Sequence, residues 1–487
     1  MFSILHISDL HRSKREPISN DELVSALVSD RARYTQEDPP VRDPDAIVVS
    51  GDIIQGVPLG TADSEAQILE QYDIAEKFLA ELADRFVAGD RTRVVVVPGN
   101  HDVDWNTARR AMTAVADVPH DVAKLLFTET SLHRWDWKTQ TLYQITDREL
   151  YAKRLDAFCG FHERFYSDAK ELLRVTRGSD ANLFRLNDGK IGVAAFNSCH
   201  GNDCFAFHGS IPREVVARTH LDLAAGSLSF DLRLAVWHHS IEGPPYRTDY
   251  MDVDIVRSMV GRGFRLGLYG HQHKAQAEPQ HVYLPDRETM AVVSAGSLCA
   301  GPEELPPGVH RQYNVVEIAD DFRSARVHVR QMTAGNLFGR AFLTSFGGAS
   351  SVLLQWDPPK DLGGRPTNAS LLRVRAQTEE AEALYKRGDY ARCVSLLFAQ
   401  HGELDVYGRR LLIDAALQAS DWPSLRIVAN PPRSVSELVA RVTADFRQRD
   451  FTGAIGTLDQ FGPALKLDPA TDRELRERVK TEEAMPR

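Results

Sequence analysis

The chain has 487 residues, of which 43% are hydrophobic and 26% are charged, and its formal net charge is −10. This length exceeds that of one ordinary domain, so we expect two or three domains of globular composition rather than a disordered or fibrous chain. No apolar stretch approaches the roughly 20 residues that cross a bilayer, which argues against a membrane protein.

The negative charge is concentrated in the N-terminal part. From Ser370 onward, 18 basic residues balance 18 acidic ones, whereas the first 369 residues carry 40 basic and 50 acidic residues. This balance disfavours the broad basic face on which duplex DNA binds. It is compatible with a small site whose positive charge comes from metal ions.

The five cysteines form no Cys-x-x-Cys pair, which argues against a disulfide framework and against a zinc knuckle. The opening residues lack the basic leader of a secretory signal peptide. We therefore expect a reducing, cytoplasmic location.

Short apolar runs that end in polar residues recur along the first part of the chain. In order, they are FSILHISDLH, AIVVSGD, RVVVVPGNHD, LRLAVWHHS and FRLGLYGHQH. Such runs are typical of strands buried on both faces. Between the second and third runs, residues 63–86 predict a helix with one apolar stripe. The stripe consists of Ile68, Leu69, Tyr72, Ala75, Phe78, Leu79 and Leu82. The alternation predicts a layered α/β core with ligands beyond the carboxyl ends of the strands.

Residues from about 103 to 187 are rich in aromatic side chains and predict a mainly helical insertion, a place where a substrate lid would be built. Further strand signals follow in RQYNVVEIADDFRSARVHVRQM and ASSVLLQWDP. The Pro and Gly residues of 357–369 predict a linker between a first domain of residues 1–356 and a last domain of residues 370–487.

Beyond the linker, a helical pattern repeats weakly. An Asp followed by an aromatic residue separates two apolar helical stretches at Asp389, Asp421 and Asp450, which are 32 and 29 positions apart. This period is typical of helical hairpins that stack on their neighbours. The repeat loosely resembles the tetratricopeptide type, and an ordinary helical bundle is the alternative. Such a domain could bind a protein partner.

The polar ends of the strand-like runs share one chemistry, since they supply nitrogen and oxygen ligands and no thiolate. They are Asp9, His11, Asp52, Asn100, His101, His238, His239, His271 and His273. Such a set suits manganese, iron, cobalt or zinc. In an extended Asp-x-His or His-x-His segment the outer two side chains share one side, so pairs from separate strands can converge.

The ordered set DLH, GD, GNHD, HH and GHQH resembles the calcineurin-like metallophosphoesterase family, over roughly residues 1–332. That family includes purple acid phosphatases, cyclic-nucleotide phosphodiesterases and the nuclease subunits of double-strand-break repair complexes. The resemblance implies a four-layer α/β/β/α sandwich with two divalent ions, manganese first among them. The implied ligands are Asp9, His11 and His273 for one ion, Asn100, His238 and His271 for the other, and Asp52 for both.

The resemblance also implies attack by a hydroxide that bridges the two metals. His101 has no ligand role in the family pattern, so it is the expected general acid, with Asp102 orienting it and Gly99 letting the backbone turn. Asn197 and His200, in a polar loop after a strand, are candidates for substrate contact, and turn chemistry alone is the alternative. His239 is a further candidate, with a place behind the metal ligands as its alternative.

Together these observations predict a metal-dependent phosphoester hydrolase, most of all a phosphodiesterase acting on nucleic acid. The insertion and the appended domain favour a sizeable substrate, while the acidic first part favours single strands, ends or nucleotides over long duplexes. The alternatives are a cyclic-nucleotide or other small-nucleotide phosphodiesterase, a protein phosphatase, and a subunit or scaffold that acts through the C-terminal repeats.

Overall fold

The structure is a computed structural model that describes most of the chain. The described residues are 1–15, 18–118, 122–126, 131–169, 178–225, 229–241, 249–281, 289–301, 304–306, 309–343, 346, 348–356, 377–378, 380–385, 387–404, 406–465, 467 and 469–484. They divide into two compact units, Met1–Pro359 and Lys360–Arg487. The predicted linker at 357–369 lies outside the described residues. No helix in the described ranges is both long and apolar enough to cross a membrane.

The secondary structure alternates in the first unit and is helical in the second. The strands are β1 Phe2–Ile7, β2 Ala46–Ser50, β3 Val94–Val97, β4 Met112–Ala114, β5 His133–Asp136, β6 Thr141–Ile145, β7 Ala181–Leu186, β8 Ile191–Phe196, β9 Leu232–Val236, β10 Phe264–Tyr269, β11 Gln276–His281, β12 Thr289–Ser294, β13 Gln312–Ile318, β14 Ser324–Thr333, β15 Leu337–Arg340 and β16 Ser351–Gln355. The helices are α1 Asn20–Arg31, α2 Ser64–Val87, α3 Trp105–Arg110, α4 Val122–Leu126, α5 Arg148–Ala152, α6 Asp156–Phe165, α7 Arg213–Ala224, α8 Val253–Val260, α9 Tyr390–Phe398, α10 Val406–Gln418, α11 Trp422–Val428, α12 Val435–Arg447, α13 Phe451–Phe461 and α14 Pro469–Ala484.

Two large sheets form the first unit. The first runs β15, β14, β13, β1, β2, β3 in space, with β16 also paired to β14, and the second runs β11, β12, β10, β9, β8, β7. In the first sheet β1, β2 and β3 are parallel. In the second, β8, β9, β10 and β12 are parallel. Each sheet therefore presents the carboxyl ends of several neighbouring strands at one edge.

Side chains alternate along the strands and fix the order of the layers. In β9, Leu234 and Val236 belong to the core shared with the first sheet, whereas Ala235 and Trp237 belong to the core shared with α7 and α8. The helices α1 and α2 pack against the first sheet. This alternation with period two places sheet on sheet and helices outside them. The predicted four-layer α/β/β/α fold is confirmed.

The predicted helix at 63–86 is α2, whose N-cap is Asp63. Its predicted stripe is buried except for Leu69, which is 44% exposed. The other members of the stripe lie within one arc of the helix surface, and Leu69 projects from beside that arc, where solvent reaches it.

The insertion contains a three-stranded sheet as well as helices, which the helical prediction did not include. Its strands lie in the order β4, β6, β5. Between β5 and β6, the Asp136 carboxylate accepts hydrogen bonds from the Lys138 and Thr139 N–H groups at 2.9 and 3.3 Å, and Gln140 has a φ of 53°. This side-chain turn folds the aromatic segment into a hairpin instead of a helix.

Helical pairs joined by tight turns make up the second unit. The repeated Asp residues are the N-caps of α9, α11 and α13. The residue before each has a left-handed φ, and these residues are Gly388, Ser420 and Arg449. A left-handed residue ends one helix and the Asp begins the next, which accounts for the sequence repeat. The tetratricopeptide assignment and the binding of a protein partner stay predictions.

Candidate metal centre

Loops after β1, β2, β3, β9 and β10 bring polar side chains together at one edge of the two sheets. Several of these residues have a left-handed backbone, with φ between 46° and 76°: Asp9, His11, Asp52, His271 and His273. Residues other than glycine rarely adopt this conformation, and such strain concentrates at functional sites. It places successive side chains of each loop toward one another.

The first group of candidate ligands is buried and tightly spaced. Asp9, His11, Asp52 and His273 each offer an oxygen or nitrogen atom, and these atoms lie within 4.8 Å of one another. His273 Nε2 lies 3.3 Å from Asp9 Oδ1 and 3.1 Å from His11 Nε2. His273 Nδ1 donates to the Glu304 carbonyl at 2.8 Å. Because a carbonyl only accepts, Nδ1 is the donor and Nε2 is the nitrogen available to a metal ion.

The second group consists of Asn100, His238 and His271. Asn100 Oδ1 lies 3.0 Å from both His238 Nε2 and His271 Nδ1, and these two nitrogens are 3.3 Å apart. His238 Nδ1 donates to the Ser50 carbonyl at 2.8 Å, so Nε2 is the nitrogen that faces the group and that a metal ion would bind in place of a proton. On the far side, His271 Nε2 lies 3.5 Å from Asp249 Oδ2.

Asp52 joins the two groups. Its Oδ2 lies 3.3 Å from His238 Nε2 and 3.9 Å from His11 Nε2. Burial opposes the charge of Asp52, but the attraction of His238 and His101 holds the pKa of this carboxyl well below its usual range. Burial likewise opposes the charge of His238, and the attraction of Asp52 raises the pKa of that imidazole to about 9. The centre thus keeps its carboxylates charged and attracts positive charge.

These residues fit divalent metal ions. Ligand atoms bound to one ion at about 2.1 Å lie about 3 Å apart, which is the spacing of the facing atoms in both groups. His273 Nε2 and Asp9 Oδ1 face each other, and the attraction of Asp9 outweighs burial and raises the pKa of this imidazole. A positive charge between the two atoms, either a proton or a metal ion, is therefore favourable. Imidazole and oxygen ligands without thiolate suit borderline or hard divalent ions, and this set alone does not choose among them.

His101 lies beside both groups without belonging to either. Its ring is 4.7 Å from the His11 ring, centroid to centroid. Its Nδ1 lies 2.7 Å from the Gln55 carbonyl oxygen, which makes Nδ1 the donor and leaves Nε2 as the atom that exchanges a proton. Its backbone N–H donates to Asp52 Oδ1 at 2.9 Å. The loop is thereby tied to the carboxylate that joins the groups.

The predicted role of Asp102 is wrong, because this carboxylate holds the backbone and Gln55 orients His101. Asp102 Oδ2 accepts from the N–H groups of Gly99 and Ile53 at 2.7 and 3.1 Å, and its Oδ1 accepts from the Tyr72 hydroxyl at 2.9 Å. Burial, with the repulsion of Asp52, raises the pKa of Asp102 to about 7.

The reason for glycine at position 99 also differs from the prediction. Gly99 has an extended backbone with φ −113°, so no turn requires it. A Cβ there would overlap the backbone nitrogen and Oδ1 of Asp52. Glycine is needed because the two loops approach closely.

The candidates for substrate contact separate into two places. Asn197 and His200 lie together, since Asp180 Oδ1 is 3.4 Å from Asn197 Nδ2 and 3.3 Å from His200 Nδ1. His239 is completely buried, with its Nδ1 2.8 Å from the Ser198 hydroxyl and its ring 5.0 Å from that of His271. It packs behind the candidate ligands and offers no surface to a substrate.

Sequence reasoning missed several residues that position this centre: Gln55, Tyr72, Ser198, Asp249 and Glu304. Gln55 and Glu304 act through backbone carbonyls, which no side-chain motif reveals. Ser198 accepts from the N–H groups of His238 and His239. Of these residues, only Ser198 could be found from the sequence, because it follows Asn197 in an unusually polar loop.

Two cavities lie beside the centre. A groove of about 740 Å³ includes His11 and Gln55 and continues past Lys14 and Arg15. A smaller cavity of about 240 Å³ is bounded by Pro98, by residues of α6 and by the loop that carries Asn197 and His200. Both adjoin loops that carry candidate ligands.

Comparison with known proteins identifies the first unit. A family profile described as Calcineurin-like phosphoesterase matches residues 2–275. No curated protein matches the chain. Among solved structures, Chaetomium thermophilum Vps29 is 10% identical, with a TM-score of 0.26, covering 75% of this chain and 100% of that chain. GAP50, the anchor in the inner membrane complex of Plasmodium, is 10% identical, with a TM-score of 0.33 and coverage of 76% and 93%. The calcineurin-like phosphoesterase YfkN from Bacillus subtilis is 12% identical, with a TM-score of 0.29 and coverage of 77% and 96%. TM-scores this low carry no argument about function.

Proposed function

Because this chain belongs to the calcineurin-like phosphoesterase family and is a metal-dependent phosphoester hydrolase, we propose that it hydrolyses phosphodiesters, above all those of nucleic acid. The observation that carries the proposal is the position of Asp52, whose Oδ2 lies between two groups of inward-facing ligand atoms. We assign Asp9, His11 and His273 to one divalent ion, Asn100, His238 and His271 to a second, and Asp52 to both. Manganese is the proposed metal. When bound, two such ions supply a nucleophile from water at neutral pH and neutralise phosphoryl charge.

His101 is the proposed general acid. Its Nδ1 keeps its proton, which is donated in a hydrogen bond to the Gln55 carbonyl, so Nε2 is the atom that gives a proton to the leaving oxygen. Asp102 contributes indirectly, because it bonds to the backbone at Gly99 and Ile53 and so fixes the loops that carry Asn100 and Asp52. His101 therefore transfers the proton, and Asp102 positions the loops.

The groove beside His11 supports a substrate longer than one phosphomonoester. It continues from the centre past Lys14 and Arg15. Lys14 is paired with Glu70, so Arg15 is the cation whose charge best suits a phosphate that flanks a scissile diester. Glu70 and Glu304 line the same groove, which limits the positive field available to a long duplex. Single strands and strand ends are therefore the preferred form of the substrate.

A small-nucleotide phosphodiesterase is the second candidate. The observation that favours it is the enclosed cavity of about 240 Å³ next to Asn197 and His200, which has room for part of one nucleotide and not for a chain. Hydrolysis of a cyclic or dinucleotide ester without cleavage of any polymer would favour this candidate over the first.

The test compares substrates under one set of conditions. Full-length protein is assayed with manganese and with chelator on bis(p-nitrophenyl) phosphate, p-nitrophenyl phosphate, single-stranded DNA, single-stranded RNA and a blunt duplex. We expect manganese-dependent hydrolysis of the aryl diester and of single strands, with slower hydrolysis of the aryl monoester and of the duplex. Faster hydrolysis of the monoester would contradict the proposal, as would turnover that persists in chelator.

A further inference from the structure

The cavity of about 240 Å³, which we call the α6 cavity, lies between three strands and one helix. Its walls include Val96 of β3, Asn182 of β7, Ala195 of β8, and Phe158 and His162 of α6. β3 ends the path of the first sheet and β7 ends that of the second. The α6 cavity is therefore formed where both sheets stop and the insertion begins.

One side chain in this wall lacks a partner. His162 is only 4% exposed, and its Nε2 finds no hydrogen-bond partner among the residues that the structure describes. Its ring packs against Phe158 and Tyr166, with centroids 5.6 and 4.6 Å away. That atom is enclosed by protein, so His162 borders the α6 cavity through its other atoms.

The other polar groups of the α6 cavity exclude an anion. Asp156 and Asp180 are carboxylates on its wall. The guanidinium of Arg154 already donates to the backbone carbonyls of Tyr151, Asn202 and His200. A second phosphate would thus meet negative charge and a guanidinium that already uses three of its five N–H donors. A neutral group with N–H donors on its rim is the better match.

We propose that the α6 cavity binds a nucleobase of the substrate, one that carries an amino group. The inference rests on the proposed function, which supplies the nucleotide. Val96, Pro98, Leu155 and Phe158 offer apolar contacts to the faces of a planar ring. Asp180 accepts from the amino group at the rim, and His162 forms part of the wall against which the base packs. Adenine, guanine and cytosine meet this description, whereas thymine and uracil have no amino group.

The position of the α6 cavity connects it to the candidate metal centre. Pro98 stands two residues before Asn100, and Asn197 is followed by Ser198, which holds the backbone of His238. A base held between these walls leaves its own phosphate beside the candidate ligands. The cavity would then decide which nucleotide of a substrate is cleaved.

Binding is tested without metal and without phosphate, so that the result does not depend on hydrolysis. Saturation-transfer NMR of the full-length protein in chelator is recorded with adenosine, guanosine, cytidine, thymidine and choline. We expect signals from the amino-bearing nucleosides at least fivefold stronger than from thymidine, and none from choline. Asp180→Asn should weaken them at least fivefold, and His162→Phe is a second variant that keeps the ring volume. The control is Asp188→Asn, which removes the same charge at the far turn of the β7–β8 hairpin, where φ is 52° and Asn is well tolerated.

Hydrolysis gives a separate reading. The ratio of kcat/KM for the p-nitrophenyl ester of guanosine 5′-phosphate to that for bis(p-nitrophenyl) phosphate should fall at least fivefold in Asp180→Asn and stay at the wild-type value in Asp188→Asn. Nucleoside signals that are equal in wild type and in both cavity variants would overturn the inference, and so would a signal from choline alone. Absence of hydrolysis of the aryl diester would overturn the proposed function instead, and the NMR result would still decide the base site.

Discussion

Two buried carboxylates, one in each unit, are compensated in opposite ways. In the second unit, Asp445 accepts from Arg426 at 2.9 Å, from Arg441 at 3.0 Å and from the Thr457 hydroxyl at 3.1 Å. In the first unit, Asp52 Oδ2 lies 3.3 Å from His238 Nε2 and 3.9 Å from His11 Nε2, so its partners there are imidazoles. A carboxylate paired with guanidinium groups, which keep their protons, supports the fold, whereas one paired with imidazoles can exchange their protons for a metal ion. The same residue type is structural in one place and a candidate ligand in the other.

The largest expected effect comes from Asp52→Asn. Removing this charge weakens both groups of candidate ligands at once, so we expect kcat/KM for an aryl diester to fall on the order of a thousandfold, about 4 kcal/mol in transition-state stabilisation. Bound manganese, measured by elemental mass spectrometry, should fall with it. Asp188→Asn is the matched control. If Asp52→Asn kept both its metal content and its turnover, the two groups would not share a ligand.

The second-largest effect is expected from His101→Ala, and its size should depend on the leaving group. A nucleoside alkoxide requires a proton as it leaves, so kcat should fall about 100-fold or more for a nucleic acid diester. p-Nitrophenolate leaves without a proton, so the loss should be smaller for the aryl diester. Kinetics with both substrates separate these cases, and His401→Ala in the second unit serves as the control. An equal loss for both substrates would mean that His101 binds phosphate and transfers no proton.

Asp445→Asn should destabilise the second unit by about 3 kcal/mol, because it removes the buried carboxylate that pairs with Arg441, while Arg426 keeps its ion pair with Asp450. Hydrogen exchange measured by mass spectrometry should show faster exchange in α12 and α13. Exchange in β1 and β2 should not change, and hydrolysis of the aryl diester should stay at the wild-type rate. A change that spreads to β1 and β2 would mean that the two units do not unfold independently.

Addition of manganese should change hydrogen exchange in the first unit and leave the second unit unchanged, which is the reverse of the pattern expected for Asp445→Asn. At 100 times its dissociation constant, a ligand that binds only the folded state stabilises it by about 2.7 kcal/mol. We expect slower exchange in β1, β2 and β10 on addition of manganese, with α12 and α13 unchanged. Asp52→Asn should reduce this protection. Equal protection of both units in wild type would place the metal elsewhere.

The sequence predicts the candidate metal centre better than it predicts the surroundings. Asp9, Asp52 and Asn100 each lie within three residues of the end of an apolar run, and parallel strands present their carboxyl ends at a common edge, so their convergence could be expected. The left-handed backbone of Asp9 and Asp52 could not be expected, because hydrogen bonds from segments that are distant in the sequence impose it. The partners of Asp102 were missed for the same reason, since Ile53 and Tyr72 are far from it in sequence.

The α6 cavity shows where sequence reasoning ends. Val96, His162, Asn182 and Ala195 line it from four separate elements, and none of these residues forms a motif with another. Asn197 and His200 were singled out because their loop is unusually polar, and the structure places both on that wall. Tertiary packing brings the other residues of that wall together, and local sequence patterns do not record tertiary packing.

The smallest expected effect concerns the protonation of His162, which is buried in the first unit. Burial lowers the pKa of this imidazole to about 4, whereas in the unfolded chain it is near 6.5. Between these values the unfolded state binds more protons, so the free energy of unfolding falls as the pH is lowered through this range. We expect this histidine to contribute a loss of about 2 kcal/mol between pH 7 and pH 5. His162→Phe should remove that part of the pH dependence, as measured by urea unfolding at several pH values, because the phenyl ring has no proton to gain. An unchanged slope in this variant would mean that His162 is solvated or paired in solution.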